Sequence, residues 1–409
     1  MTDDVRHFPE RIDEELRRLE PALRALGRDL HRDPELGCRE MHAVTRIAGE
    51  LEEEGFRVET GLAGLATAFR AEAGEGPATI AFLVEYDAIP GLGHASGHNL
   101  VVVAGCAAAI ALSRSLPPGA GRVAVVGAPA EETIGGKVVL AARGGYDGID
   151  AALLAHPGTV DRVEVTSLAS WVFEVTYVGR AAHAVAAPEE GIDALDALIR
   201  LFVARGDLLA GLRDDVRIPG VILEGGVRPN LVPERARARF SLRAADAGYL
   251  VDEVVPRFRE AAERVATATG TRVAVEPVDN LYDEFLPNPV LAEVYREEAR
   301  AAGLRPVEGA GRPVGSLDMG TLSRVVPCLH PTFSLGEATP PTLTREFARR
   351  AGEDGAYRCA FRAARALAAT GQRLLVEPRL LERARRAHRE VAPRRRRVDV
   401  PLVVAGGRP

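Results

Sequence analysis

Three short apolar runs constrain the fold of this chain more than any other sequence feature. They cover residues 78–84, 122–126 and 151–154, and helical patterns separate them. An uninterrupted apolar run of this length is typical of a strand that is buried on both faces. Strands that alternate with helices in this way predict an α/β fold, in which a mostly parallel sheet has helices on both faces.

The pattern changes after residue 166. Between residues 167 and 279 the order of patterns is strand, helix, strand, strand, helix, strand. This βαββαβ order predicts a split βαβ, ferredoxin-like sandwich. We therefore predict a large domain of residues 1–166 and 280–376, interrupted by a smaller lid and dimerisation domain of residues 167–279. The Arg- and Pro-rich residues 377–409 predict a solvated C-terminal tail.

The composition limits the classes of partner and the compartment. A chain of 409 residues with 46% apolar residues is long enough to form two cores. Its net charge of −6 argues against nucleic acid and anionic membranes as partners. The charged beginning of the chain has no apolar signal segment, and the four cysteines have no CxxC spacing. We expect a cytoplasmic protein with free thiols and no membrane span.

Metal-ligating residue types follow all three predicted strands. His98 lies in the loop after the first strand, Glu131 and Glu132 follow the second, and His156 follows the third. Each of these residues alone is more often structural or solvated. In an open α/β sheet, however, ligands bind at the carboxyl ends of the strands, where these side chains should converge. A hydrolytic metal site needs His and carboxylate ligands, and one unligated carboxylate for proton transfer. The sequence therefore predicts a shared metal site.

Several segments, in the same order along the chain, resemble a known family. The chain is similar to the zinc-dependent aminoacylase/carboxypeptidase family of metallopeptidases. Within it, the similarity is to the amidohydrolase branch of hippurate, indole-acetyl-amino-acid and aminobenzoyl-glutamate hydrolases, and there to the β-alanyl-lysine dipeptidase type. The matching segments include RDLHRDPELG, EYDAIPGLGHASGHNL, APAEETIGG, AHPG, GRAAHAVAAPEEGIDALDAL and GSLDMGTLSRVVPCLHP.

The resemblance implies roles for residues of the large domain. Glu131 is the expected general base and acid, and the expected metal ligands are His98, Glu132 and His156. The implied reaction is hydrolysis of the amide bond of an N-acyl amino acid or a small dipeptide. The implied cofactor is zinc or another divalent ion.

The resemblance also implies roles for residues of the smaller domain. His183 is expected to stabilise the oxyanion of the tetrahedral intermediate. Asn230 and Arg243 are expected to bind the substrate carboxylate, which the fork of a guanidinium matches well. The smaller domain is also expected to form a homodimer.

Two positions depart from the family pattern. Ser96 stands where the branch has a cysteine whose thiolate bridges two metal ions, and Leu343 stands where it has a histidine ligand. A serine hydroxyl stays neutral and a leucine cannot ligate. We therefore expect a reduced site with one ion per subunit, or none. Ser96 does not lie in a G-x-S-x-G elbow, so we do not expect it to be a nucleophile.

Three hypotheses follow from these departures. The first is an amidohydrolase or dipeptidase with a single metal ion, favoured by the retained glutamates and histidines. The second is a metal-free homologue that only binds a small ligand or a partner subunit. The third is a metal-free enzyme with altered chemistry in a biosynthetic pathway, with Glu131 as its acid and base.

Overall fold

A computed structural model describes residues 8–313, 315–392 and 403 of the chain. These residues fall into two units. The larger one takes its residues from Met1–Thr166, Phe285–Val314 and Asp318–Pro409, and the smaller one comprises Ser167–Glu284 and Gly315–Leu317. The sequence predicts the smaller domain at residues 167–279.

The first segment of the larger unit alternates strands with helices. Its elements are α1 (Phe8–Arg32), α2 (Met41–Glu53), β1 (Arg57–Thr60), β2 (Phe69–Glu75), β3 (Thr79–Val84), α3 (His98–Ser115), β4 (Gly121–Gly127), α4 (Gly136–Ala142), β5 (Ala151–Leu153) and β6 (His156–Gly158). All six residues of β3 are buried, as its uninterrupted apolar sequence predicts.

The smaller unit is an antiparallel sheet with helices. Its elements are β7 (Ala169–Val178), α5 (Ala194–Ala210), β8 (Gly220–Glu224), β9 (Arg235–Ala244), α6 (Ala247–Tyr249), α7 (Val255–Thr269) and β10 (Arg272–Pro277). The strand order is β10-β7-β9-β8, so β8 is an edge strand. Burial alternates along β9 because successive side chains of a strand point to opposite faces.

The chain then completes the larger unit. The remaining elements are α8 (Pro289–Ala301), α9 (Met319–Leu322), β11 (Cys328–Leu329), β12 (Thr332–Ser334), α10 (Arg345–Ala351), α11 (Asp354–Val376) and α12 (Pro378–Val391). Thus the predicted α/β class with a βαββαβ insertion is confirmed.

The main sheet reverses its strand order at β3. The order is β1-β2-β4-β3-β5-β11, with β3 parallel to both β4 and β5. From β3 the chain passes to β4 on one side and then to β5 on the other. Such a switch point opens a crevice at the carboxyl ends of the strands, where α/β proteins bind their ligands.

The core of the larger unit contains a very apolar helix. Among the described residues, α3 alone is long and apolar enough to cross a membrane, and 89% of it is buried inside the protein. It packs against α1 and α11. The core helix of a globular domain has these same properties.

The prediction of a solvated C-terminal tail is wrong for residues Pro378–Val391. Residues Pro378–Val391 form α12, which packs against α8. Its buried residues are Leu380, Leu381 and Ala384, which lie on one face because their spacing follows the helical repeat. The many arginines of this helix occupy the other faces. The run Arg394–Arg397 lies outside the described residues.

Candidate active site

The strand ends bring the predicted residues of the larger unit together. Atoms of His98, Glu131 and Glu132 that could ligate a metal all lie within 4.8 Å of one another. The rings of His98 and His156 meet edge to face, with centroids 5.5 Å apart. The convergence predicted from the sequence is therefore present, while the individual roles stay predictions.

His98 is oriented by its neighbour Asp87. It begins α3 just after Gly97, whose φ of +80° allows the tight turn, and a Cβ there would lie 2.8 Å from the ring of Pro157. The Nδ1 atom of His98 lies 3.0 Å from Oδ1 of Asp87 and 2.8 Å from its carbonyl oxygen. The Nε2 atom is buried and has no hydrogen-bond partner. A carbonyl oxygen that accepts from one ring nitrogen, with a carboxylate beside it, prepares the other nitrogen for a metal.

The second histidine is held in the same manner. His156 directs Nδ1 to the carbonyl oxygen of Pro157 at 2.8 Å, which leaves Nε2 for the site. Burial is the main influence on this ring and lowers the pKa of His156 to about 4. The imidazole is therefore neutral at pH 7, with a lone pair on Nε2 as metal binding requires.

The two glutamates stand in a loop that the protein constrains from two sides. Ala130 adopts a φ of +59°, which a non-glycine residue rarely takes, and its N–H donates to Glu40 Oε1 at 2.8 Å. The N–H of Glu132 donates to Asp87 Oδ2 at 2.9 Å. These bonds fix the backbone on both sides of Glu131.

Glu131 has the properties of an acid–base group. Burial has the largest effect, and the carboxylates of Glu132 and Glu85 add to it. Together they raise the pKa of Glu131 well above its usual value. By contrast, the pKa of His98 is raised: burial opposes its protonation most strongly, but the hydrogen bond and charge of Asp87 and the charges of Glu85 and Glu132 together outweigh burial.

Three buried charged residues of this site were not predicted from the sequence. Lys137 Nζ donates to a carboxylate oxygen of Glu85 and to Asp318 Oδ1, the latter at 2.7 Å. The three side chains are at most 2% exposed. Glu85 could have been found, since it directly follows the first predicted strand. Lys137 is the one lysine among 52 Lys and Arg residues, which is a further signal.

The substituted positions both lie beside the site. Ser96 Oγ donates to Glu132, so the serine occupies an oxygen of one predicted ligand. The N–H of Leu343 donates to the carbonyl oxygen of Ala95 at 3.0 Å, which places residue 343 next to Ser96. The Leu343 side chain is 57% exposed. The alignment of both positions with the family pattern is therefore spatially consistent.

The predicted residues of the smaller unit have their own local arrangement. His183 is exposed, and its Nδ1 accepts hydrogen bonds from the N–H groups of Val185 and Ala186, both at 3.2 Å. The Asn230 side chain is exposed. Arg243 is half-buried, and its Nε donates to Ser241 Oγ at 3.0 Å. Their roles toward a substrate stay predictions.

The donor set fits a divalent cation. A bridging thiolate is absent at Ser96, and Leu343 offers no donor atom. By contrast, Glu85, His98 and His156 bring three ligand atoms within 4.8 Å of one another. The buried Oε2 of Glu85 and Nε2 of His98 have no hydrogen-bond partner. Three protein ligands of the His₂Glu type are sufficient for a catalytic zinc ion.

Comparison with known proteins gives a consistent result. The chain is 36% identical over 401 residues to the Xaa-Arg dipeptidase of Mus musculus, covering 93% of this chain and 91% of that protein. It is 33% identical over 382 residues to the Xaa-Arg dipeptidase of Homo sapiens, covering 88% and 87% of the two chains. Residues 168–269 match the peptidase dimerisation domain.

A solved structure shares the fold. It is that of a dinuclear metal-binding peptidase of the M20 family from Bacillus subtilis, with a TM-score of 0.63 and 20% sequence identity. The match covers 87% of this chain and 99% of that one.

Proposed function

Because this chain belongs to the M20 family of amidohydrolases and dipeptidases, we propose that it cleaves the amide bond of a dipeptide or an N-acyl amino acid with a single metal ion. One observation carries the proposal. A carboxyl group with a raised pKa, that of Glu131, lies within 4.8 Å of His98 and Glu132, two residues that can ligate a metal.

Glu131 is the proposed proton carrier. Amide hydrolysis needs a base that takes a proton from water and an acid that returns one to the leaving nitrogen. As the water oxygen bonds to the carbonyl carbon, Glu131 takes the water proton. It then transfers this proton to the nitrogen as the C–N bond breaks, and a carboxylic acid and an amine are released; the acid becomes a carboxylate by losing its remaining proton to the solvent. A raised pKa suits a carboxyl group to both steps.

The histidines and the remaining glutamate hold the cation in this proposal. A bound divalent ion, proposed to be zinc, would polarise the scissile carbonyl and lower the pKa of water. Asp87 orients His98, and the carbonyl oxygen of Pro157 orients His156, so each presents Nε2 to the site. Glu132 is the ligand that the family resemblance adds.

The relatives suggest the substrate class. Two of them are Xaa-Arg dipeptidases by name. We propose dipeptides with a cationic C-terminal residue as the first substrates to test. Recognition of the free carboxylate by Asn230 and Arg243, and of the oxyanion by His183, belongs to the same proposal.

A homodimer and a cytoplasmic location complete the proposal. The dimerisation-domain match is supported by exposed apolar residues on the edge strand β8, where Val221 is 57% and Ile222 is 45% exposed. On α5, Val203 is 71% exposed. An edge strand with exposed apolar side chains is suited to pairing with a second copy. The four free cysteines favour a reducing compartment.

The decisive experiment measures metal content and hydrolysis in the same preparation. Protein purified without chelator should contain about one divalent ion per subunit and hydrolyse Xaa-Arg dipeptides. Glu131→Gln should lower kcat by about 10²–10⁴-fold without loss of metal. Glu59→Gln, a change at an exposed carboxylate on β1, is the control and should keep full activity.

The metal-free alternatives make different predictions. They are favoured by Ser96, whose hydroxyl is bonded to Glu132, and by the apolar Leu343. Hydrolysis that survives chelation would indicate metal-free chemistry with Glu131. A protein that binds dipeptides but cleaves none, with or without added zinc, would be a binding homologue.

A further inference from the structure

We propose that Glu85 links two cations, the buried ammonium of Lys137 and one divalent metal ion that Glu85 binds together with His98 and His156. The inference concerns the metal site of the proposed hydrolase. It rests on that proposed function only in assigning the bound ion a role in hydrolysis. It adds one ligand, Glu85, and one permanent positive charge, Lys137.

The first argument is the placement of Lys137. Its ammonium group is completely buried and bonds to two carboxylates, Glu85 and Asp318. Its backbone N–H also donates to Asp318 Oδ2, at 3.0 Å. A buried charge is tolerated only when it is paired in this way. Lysine occurs nowhere else in this arginine-rich chain, and here its compact ammonium, rather than a guanidinium, lies between the two carboxylates.

The second argument is that the two oxygens of the Glu85 carboxylate have different surroundings. Oε1 accepts from Lys137, whereas Oε2 is buried and has no hydrogen-bond partner. Oε2 lies 3.6 Å from Nε2 of His98 and 3.8 Å from Nε2 of His156. Two ligand atoms of a tetrahedral zinc ion are about 3.3 Å apart, given bonds of about 2.0 Å. These two distances are therefore close to that spacing, and the ligand atoms of all three residues lie within 4.8 Å of one another.

The third argument is the location of the two positions that depart from the family pattern. The substituted positions Ser96 and Leu343 lie on the side of Glu132, whose Oε1 is 4.0 Å from Nε2 of His98 and accepts the Ser96 hydroxyl. Glu85 stands closer to His98 than Glu132 does. An ion displaced toward Glu85 would need neither the bridging thiolate nor the second histidine, while Lys137 would supply positive charge on the far side of the carboxylate.

The single lysine makes a direct test possible. In protein labelled with [ε-¹⁵N]lysine, Lys137 gives the one side-chain ammonium resonance. Adding zinc to the full-length protein, first freed of metal, should shift this resonance and saturate at one ion per subunit. Zinc that binds at one equivalent without moving the resonance would overturn the proposal, as would the absence of zinc binding.

Matched variants identify the ligand. Calorimetric titration should show that Glu85→Gln weakens zinc binding by at least about 100-fold and more than Glu132→Gln does. The Co²⁺ form of Glu85→Gln should lose its four-coordinate visible absorption. A larger loss in Glu132→Gln would overturn the proposal. If Glu85→Gln does not fold, Glu85→Asp and the resonance of the unaltered protein decide the question.

The outcomes also separate this inference from the proposed function. If the protein binds zinc through Glu85 but hydrolyses no amide, the proposed metal site is supported and the proposed hydrolase function is contradicted. If the protein hydrolyses dipeptides but the Glu85→Gln variant binds zinc with full affinity, the hydrolase function is supported and Glu85 is not a ligand.

Discussion

The candidate site has two sides that differ in how freely their residues can be replaced. We call Glu85, Lys137 and Asp318 the inner cluster, and Ser96 and Leu343, with Glu132, the outer rim. The side chains of the inner cluster are at most 2% exposed, whereas in the outer rim Leu343 is 57% exposed, the Glu132 side chain 20% and Ser96 7%.

The comparison explains where ligands can be lost. In the inner cluster each charge compensates another, so removing one leaves a buried charge without a partner. On the outer rim a neutral serine satisfies Glu132 by a hydrogen bond, and solvent reaches residue 343. We therefore expect substitutions at the rim to cost less folding stability than substitutions in the inner cluster.

The largest effect is expected from Lys137→Met. It leaves Glu85 and Asp318 buried together without their cation, and should lower the free energy of unfolding by about 3–5 kcal/mol. Ser96→Ala, at the outer rim, should cost only about 1.5 kcal/mol. Urea unfolding of the metal-free proteins measures both. Equal losses would contradict the distinction, and Lys137→Met combined with Glu85→Gln and Asp318→Asn should recover part of the stability.

A second prediction concerns the loop that carries Glu131. Burial is the largest influence on Glu40 and raises the pKa of its carboxyl to about 7, compared with 4.5 in an unfolded chain. The folded state therefore favours the protonated acid. This contribution is complete below about pH 4.5 and is lost as the pH rises through about 7, a change of about 3 kcal/mol.

Glu40→Gln tests this sign. The amide keeps an acceptor for the N–H of Ala130 but cannot ionise. Relative to the unaltered protein, the variant should gain about 2.5 kcal/mol of unfolding free energy between pH 5 and pH 8. Chemical denaturation at the two pH values measures the gain. A difference that does not depend on pH would show that Glu40 is not the titrating group.

A third prediction restores the outer rim. Ser96→Cys with Leu343→His should raise zinc content from about one to about two ions per subunit and improve affinity for the second ion by about 100-fold, or about 2.7 kcal/mol. Elemental analysis and calorimetry measure this. Each single variant is the control. If the double variant gains no ion, the rim is not the site of the lost ligands.

The smallest effect is expected from the backbone at Leu343. This leucine has a φ of +62°, in the left-handed region that costs most residues about 1–2 kcal/mol. Asparagine tolerates that region, so Leu343→Asn should stabilise the protein by up to about 1 kcal/mol, because the exposed side chain loses little burial. Leu343→Ala should give no gain. Thermal unfolding distinguishes the two.

The sequence was sufficient for those parts of the molecule that local pattern controls. The apolar run 78–84 identified β3, and the rule that parallel strands share their carboxyl ends brought His98, Glu131 and His156 together. Helix α12 was missed because its apolar stripe is narrow and its composition is dominated by arginine.

The contacts of the inner cluster could not be predicted because they are long-range, although Glu85 follows the first predicted strand and Lys137 is the one lysine of the chain. Lys137 and Asp318 are 181 residues apart, and Lys137 lies 52 residues from Glu85. A lysine at the start of a helix is usually solvated, and nothing in its local sequence indicates burial. Only the folded sheet and α9 bring these three charges to one point.

The burial of Lys137 also affects how the protein reacts with reagents that modify amines. With its one lysine inside the fold, the folded chain offers acylating reagents no accessible lysine side chain. Modification at Lys137 would require the interior to open, so its rate would record how often that happens. A small-molecule ligand that binds at the site should lower the rate at which Lys137 is modified. This rate can therefore be used to screen for ligands without measuring hydrolysis.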